Sequence, residues 1–272
     1  MFIYVQTNGV GYYCSTLLKS KHAFATREGG VSQFPYTQSL NLAHGRGDGE
    51  ATVLQNLQLF ADAVGMAADR VISLPQVHGT EVLTVTEKDA GRGYAKPANG
   101  EADGYLTTQA DLPLGVKSAD CVPVLLEARN EEGVVLAVSA VHAGWKGTAG
   151  GIAVRAVKAL RDACGNVEIY AAIGPCIGAC CFEVGQDCVD EFVRLCGREM
   201  TQACFRETQN GKYYGDLVMV NRMLLTGVDV PVSHIDAADI CTCCHPERFF
   251  SHRYAAKYAD GKRGTMLSVI WK

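Results

Sequence analysis

The sequence predicts an α+β fold, a β core covered by helices. Three observations carry that expectation. Hydrophobic residues make up 48% of the 272, enough apolar material for a packed core. Both β-rich runs and amphipathic helical stripes occur along the chain. They do not follow the regular strand–helix alternation of a doubly wound parallel sheet.

The elements read in order. His22–Thr26 is a short strand candidate, and Arg27–Gly49 is a glycine-rich loop. Across Glu50–Val64 the apolar residues Val53, Leu57, Phe60, Ala61 and Val64 form one helical face, stopped by Gly65. Val71–Leu74 and Glu81–Val85 read as strands flanking Gln76-Val77-His78-Gly79. Leu114–Lys117, Val122–Glu127 and Val134–Val141 are β-rich. Thr148 is a candidate cap for a helix that runs to Ala163 and stops at Gly165. Val167–Ile173 follows as a strand, then helices over Asp187–Leu195 and Asp216–Leu225. Asn210-Gly211 inside Glu207–Tyr214 is a hairpin signal. Thr265–Trp271 closes the chain as a strand. No repeat or Pro/Ser-rich linker interrupts it, so a single domain over 1–272 is the simplest organisation.

Charge and composition narrow the function. The net charge is -4 and no run of four basic residues occurs. The electrostatic footprint of a nucleic-acid binder is therefore missing. Apolar runs such as Val134–Val141 are too short to cross a bilayer, and the first residues carry no signal-peptide pattern. A reducing, cytoplasmic setting follows, in which the 12 cysteines are mostly small buried hydrophobes. The oligomeric state is left open.

Several residues carry potential chemistry. Ser139–Gly151 is a strand that runs through His142 into a glycine-rich turn and a helix. Its backbone N–H groups, with Lys146 as a point charge, suit an anion; a tight turn without a ligand fits equally. His142 has two candidate companions at strand ends, Cys121 and His78. One thiolate and two imidazoles would hold zinc with an open fourth position, able to activate water; ordinary packing is the alternative. Cys176, Cys180, Cys181 and Cys241-x-Cys243-Cys244-His245 are denser but do not match a double C-x-x-C spacing. They would form a structural zinc site only if the fold joined them, and simple packing is the expectation. Arg27 suits bidentate phosphate or carboxylate binding. Asn41 is a ligand-amide or turn candidate. Asp103 and Asp120 are candidates for acid–base work. Phe249–Arg253 reads as a functional cluster or an edge strand.

Seven segments in order, Thr26–Ser32, Ser39–Leu42, Gln76–Gly79, Ala102–Gly104, Ala119–Pro123, His142–Gly147 and Ile173–Gly178, resemble the YfiH family. That family also goes by laccase-domain, polyphenol oxidase, peptidoglycan editing factor and purine nucleoside phosphorylase. The resemblance runs from about Ala23 to the C-terminus. It implies a layered α/β/β/α sandwich of the cytotoxic necrotizing factor type, and it places His78, Cys121 and His142 at the zinc ligands. It implies phosphorolysis of adenosine, inosine and methylthioadenosine, and adenosine deamination. Nucleoside and phosphate would be the partners, with Arg27, Asn41, Gln76 and Lys146 as binding residues, Cys121 and His142 as catalytic residues, and Asp103 or Asp120 as proton shuttle. Lys146 replaces the family's usual Arg. His252-Arg253-Tyr254 and Arg263-Gly264-Thr265 depart from the family's Tyr-Arg-Arg and Thr-Gly-Arg, which puts the roles of those arginines in question. Competing classes are a cysteine amidase or peptidoglycan-precursor hydrolase built on Cys121 and His142, a copper-loaded polyphenol oxidase, and a non-catalytic partner protein. The seven histidines include no His-x-His pair of the multicopper kind, so copper would enter only as an alternative occupant of a Cys/His₂ site.

Overall fold

The computed structural model describes residues 1–272. Its layering follows from the two-residue period of the central strands. On Val122–Arg129, Val122, Val124, Leu126 and Ala128 join one apolar cluster, while Leu125 joins another. On Val135–Ala143, Ala137, Val141 and Ala143 face the first cluster, and Val138 and Ala140 the second. Strands apolar on both faces must be covered on both.

These strands sit in a six-stranded sheet of order Ile235–Ala237, Glu168–Ile173, Val122–Arg129, Val135–Ala143, Gly104–Thr107, Val82–Thr84. A five-stranded antiparallel sheet lies against it, in the order Phe2–Thr7, Val10–Ser15, Lys21–Ala25, Met266–Trp271, Leu114–Ser118. The shared core combines Phe24, Leu114, Val116 and Ile270 of the five-stranded sheet with Tyr105, Leu125, Val138 and Ala140 of the other. Outside the five-stranded sheet, helix Glu50–Val64 contributes Val53, Leu57 and Phe60. Outside the six-stranded sheet, helix Ile152–Cys164 contributes Ile152, Ala153, Ala156, Val157 and Leu160. The result is the helix–sheet–sheet–helix sandwich that the resemblance implies. A small sheet of Glu183–Val184, Tyr213–Gly215 and Phe205–Glu207 flanks it.

The differences from expectation have local causes. An N-terminal hairpin, Phe2–Thr7 with Val10–Ser15, turns at Asn8-Gly9, both at positive φ (52° and 84°). That pair is a primed-turn signal, and the two strands it joins are not among those expected from the sequence. Val71–Leu74 is not a strand: only Ile72 makes a bridge, to Leu114, and the Ser73 N–H donates to Arg92 O instead of to a ladder. The helix after His142 breaks in two, Trp145–Ala149 and Ile152–Cys164, because Gly151 takes a left-handed conformation at φ 73°. Thr148 therefore caps nothing; its hydroxyl donates to Ala143 O inside the first piece. Phe249–Arg253 is not an edge strand either. Ser251 caps helix His252–Tyr258, accepting the Tyr254 N–H. No helix is long and apolar enough to cross a membrane.

Gly65 ends helix Glu50–Val64 at φ 78°, and a Cβ there would meet nothing within 4 Å. Gly65→Ala is therefore expected to cost about 1 kcal/mol through backbone conformation alone. Urea unfolding checks this, with the midpoint shifted and the m-value unchanged.

Candidate functional site

The six-stranded sheet brings three distant side chains to one point. Cys121 lies directly ahead of strand Val122–Arg129, and His142 is the next-to-last residue of its antiparallel neighbour, opposite Pro123. His78 comes from the loop before strand Val82–Thr84, in a left-handed conformation at φ 60°. One donor atom from each of the three lies within 4.8 Å of the others. The two imidazole centroids are 4.9 Å apart, nearly edge to face.

Asp103 holds two of these donors in place. Its Oδ1 accepts His142 Nδ1 at 2.7 Å and the His78 N–H at 3.0 Å. Its Oδ2 accepts the N–H groups of Val77 at 3.1 Å and Gly79 at 2.8 Å. The His142 N–H also donates to the Asp103 carbonyl at 2.7 Å. With Nδ1 so engaged, Nε2 of His142 is left for the cluster. Asp120 plays a comparable part for Cys121. It sits at φ 100°, a strained position for a residue with a Cβ. Its carboxylate accepts Thr242 Oγ1 at 2.7 Å and the Arg253 N–H at 2.6 Å, and its carbonyl accepts the Ile177 N–H.

Burial alone would push the Cys121 thiol up. Hydrogen bonds and charge from His142 and His78 outweigh burial and bring it down to about 6. For His142, burial works downward, but hydrogen bonds from Asp103 and Cys121 raise it to about 9. Burial raises Asp103, yet the bonds from His142 and Gly79 leave it below the usual carboxylate range. A thiolate beside two imidazoles is a soft, three-donor set with the composition of a catalytic zinc site. The neighbouring backbone leaves room for it. A Cβ on Gly144 would stand 2.5 Å from His78 Nδ1 and 3.3 Å from Cys121 Sγ.

The cluster forms part of the wall of a cavity of about 840 Å³, a size suited to a small-molecule ligand. Its other walls include Arg46, Lys117, His252, Arg253 and Arg263. Burial, then the charge of Arg46, bring Lys117 down to about 8. Burial, then the same Arg46, lower Arg263. Three buried polar atoms of the lining, Arg263 Nε, Ser73 Oγ and Thr265 Oγ1, have no protein partner. Buried polar atoms without partners are costly in a protein interior.

Several roles expected from the sequence move. Arg27 does not line the cavity; its guanidinium donates to the carbonyls of Gln38, Pro246 and Pro35 and lies 4.6 Å over the Phe250 ring. Asn41 is fully buried, its amide divided among Ala43, Asp48 and the Thr265 N–H. Lys146 is exposed, 5.5 Å over the Trp145 ring and outside the cavity lining. The helix behind it is only five residues long, so the expected anion cradle does not form there. Gln76 does line the cavity, but both ends of its amide bond the Lys117 backbone at 2.7 Å, which makes it a strut. Asp103 and Asp120 accept at both carboxylate oxygens and are buried, positioning His142, the His78 loop and the segment before Cys121, and Asp120 also lines the cavity. The cations that do face the cavity leave little trace in the sequence, for identifiable reasons. Arg46 lies in Gly45-Arg46-Gly47-Asp48-Gly49, which matches no phosphate motif. Lys117 is embedded in a strand of otherwise apolar character. Arg263 and Arg253 lie in the segments that depart from the family pattern, yet the fold still delivers both to the cavity.

The family described as multi-copper polyphenol oxidoreductase laccase matches residues 21–272. A Geobacillus stearothermophilus protein named purine nucleoside phosphorylase YlmD is 38% identical over 250 residues, covering 90% of this chain and 87% of its own. A Deinococcus radiodurans protein named purine nucleoside phosphorylase is 36% identical over 250 residues, 92% of this chain and 88% of its own. Among solved structures, the Bacillus licheniformis hypothetical protein YfiH superposes with a TM-score of 0.87 at 31% identity, covering 98% of both chains.

Two substitutions separate the site from its scaffold. Gly144→Ala places a methyl group against His78 and Cys121 and is expected to abolish metal binding at the His78, Cys121 and His142 set, lowering metal content by one equivalent, while the circular dichroism spectrum is retained. Asn41→Ala strips partners from buried backbone groups and is expected to cost about 2–3 kcal/mol, read by urea unfolding, with metal content unchanged.

Proposed function

The chain belongs to the laccase-domain family of the YfiH type, and from that membership we propose that it is a zinc-dependent purine nucleoside phosphorylase. Its substrates in this reading are adenosine, inosine and methylthioadenosine, cleaved to free base and ribose 1-phosphate or methylthioribose 1-phosphate. Adenosine deaminase activity at the same site belongs to the proposal. So do its assignment as one catalytic domain, its small-molecule partners and its place in the cytoplasm. The observation that carries the reading is the cationic wall formed by Arg46, Lys117 and Arg263, within the cavity that holds His78, Cys121 and His142.

Crowded like charges with partnerless donors favour a multiply charged oxyanion. Inorganic phosphate would place its oxygens on Arg263 Nε, Arg46 and Lys117, and so offset the burial and the Arg46 repulsion that together depress Lys117 and Arg263. His78, Cys121 and His142 would hold zinc, which would supply Lewis acidity toward an oxygen of the bound reactants or toward water. Asp103 fixes the His142 ring through its Nδ1 proton, and Asp120 fixes the backbone that carries Cys121. A phosphate oxygen attacks the ribose anomeric carbon, the glycosidic C–N bond breaks, and the base departs with a proton. His252 lines the same cavity, but burial, then the charge of Arg263, lower its pKa, so the proton comes from solvent.

A thiol hydrolase is the second reading, and one observation favours it. Cys121, His142 and Asp103 align as nucleophile, base and orienting carboxylate, with the thiol lowered to about 6. His78 as a third donor and the cationic wall have no task in that scheme. Phenol oxidation would need copper in the same Cys/His₂ set.

The test is nucleoside cleavage with phosphate varied. Base release should require phosphate and stoichiometric zinc. Arg263→Ala should raise the KM for phosphate ~10–100-fold, the loss of one charge-assisted hydrogen bond, whereas Arg27→Ala should leave that KM unchanged and lower only stability. Metal-free turnover abolished by iodoacetamide, with no phosphate requirement, would support the thiol hydrolase. Lys117, with a pKa of about 8, is charged below that pH and neutral above it. Phosphate affinity is therefore expected to fall as pH rises through about 8, and Lys117→Arg should remove that inflection because a guanidinium stays charged.

A further inference from the structure

A second cluster of soft donors lies outside the catalytic set. Loop Gly174–Phe182 and loop Ile240–His245 come together through a parallel bridge between Cys176 and Cys241. Backbone bonds from the Cys176 N–H to Ile240 O and from the Thr242 N–H to Cys176 O lock the pair. This juxtaposition gathers Cys180, Cys181, Cys241 and Cys244, whose Sγ atoms all lie within 4.8 Å of one another. The Cys180–Cys244 and Cys181–Cys244 separations are 3.5 and 3.4 Å. Neither is a disulfide, and all four are free thiols. Four thiolates at ~2.3 Å from one zinc stand about 3.8 Å apart, close to the spacing seen.

We propose that Cys180, Cys181, Cys241 and Cys244 bind a second, structural zinc ion through four thiolates. Three features fit such a site beyond the count of donors. The Gly178 N–H donates to Cys241 Sγ at 3.2 Å, the backbone-to-sulfur bond that steadies a ligating thiolate. Cys241 and Cys244 are spaced as C-x-x-C, the half-site of many zinc ribbons. Gly178 lacks a Cβ where one would stand 3.1 Å from Cys241 Cβ and 3.3 Å from Cys180 Sγ. Four protein donors complete a tetrahedron, which leaves no open position and makes the site structural, unlike the three-donor set in the cavity.

The location says what such a clamp would hold. Thr242, between two of the donors, bonds Asp120, and Ile177 bonds the Asp120 carbonyl. Arg253 donates its guanidinium to the carbonyls of Cys181 and Glu183 and its N–H to Asp120. The ion would pin both loops behind the residue that precedes Cys121.

Zinc counting on variants of the full chain tests this independently of the catalytic reading. Cys121→Ala disables the cavity set and should retain one zinc per chain. Cys241→Ser with Cys244→Ser should lose one equivalent relative to wild type, whatever the cavity holds. Should that pair fail to fold, Cys180→Ser at an exposed position should still bind zinc but release it faster to a competing chelator. Cobalt-loaded Cys121→Ala should show the intense thiolate-to-cobalt charge transfer of a tetrathiolate site, and adding Cys241→Ser with Cys244→Ser to that variant should remove it. Unchanged zinc content and release in the cysteine variants would overturn the proposal. So would iron as the bound metal, or an intact mass two hydrogens lighter that maps to a Cys180–Cys244 disulfide.

Discussion

The Asp103 carboxylate is the constraint on which the site depends. It is fully buried, and its two oxygens accept four hydrogen bonds, three from consecutive backbone N–H groups of the His78 loop and one from His142 Nδ1. A buried carboxylate is tolerable only when so paired. Here the pairing simultaneously bends a loop, holds His78 in a left-handed conformation and orients a second imidazole. Sequence, loop geometry and donor direction are thus joined at one side chain. The strand that starts at Gly104 carries Asp103 into position by pairing with the strand of His142.

Around that anchor the fold separates tasks. The six-stranded sheet supplies Cys121 and His142 from strand ends, and the loop before Val82–Thr84 supplies His78. The five-stranded sheet and the long loop before helix Glu50–Val64 supply cations, Lys117 and Arg46, and the C-terminal segment adds Arg253 and Arg263. The cavity therefore lies where the edge of one sheet meets the ends of the other. Soft donors and positive charge line the same cavity.

Much of the fold is legible in the sequence because it rests on local periodicity. Helix Glu50–Val64 runs between the residues its apolar stripe and Gly65 dictate, and strands Val122–Arg129 and Val135–Ala143 form where the β-rich runs lie. The positions that differ are those where long-range bonds or a single backbone angle override local preference. Ser73 gives its N–H to Arg92, and Gly151 breaks a helix that its neighbours would continue. The convergence of His78, Cys121 and His142 is legible only through motif resemblance, since spacings that long leave no local trace. The cavity-facing cations are hidden for a related reason. Arg27 and Asn41 are conspicuous in sequence because they hold an irregular loop together, and a residue that saturates backbone carbonyls is as motif-like as one that binds substrate. The joined cysteine loops are equally invisible to spacing, because Cys176 and Cys241 meet only through a tertiary bridge.

Convergence of His78, Cys121 and His142 on one zinc ion beside a phosphate-binding wall is the claim on which the function rests. Zinc-edge anomalous diffraction from crystals grown with phosphate tests it most directly. The expected result is an anomalous peak bonded to Cys121 Sγ and one nitrogen of each histidine, with phosphate against Arg46, Lys117 and Arg263. Ordered side chains with no anomalous peak among those three atoms, or phosphate bound away from the cationic wall, would contradict it.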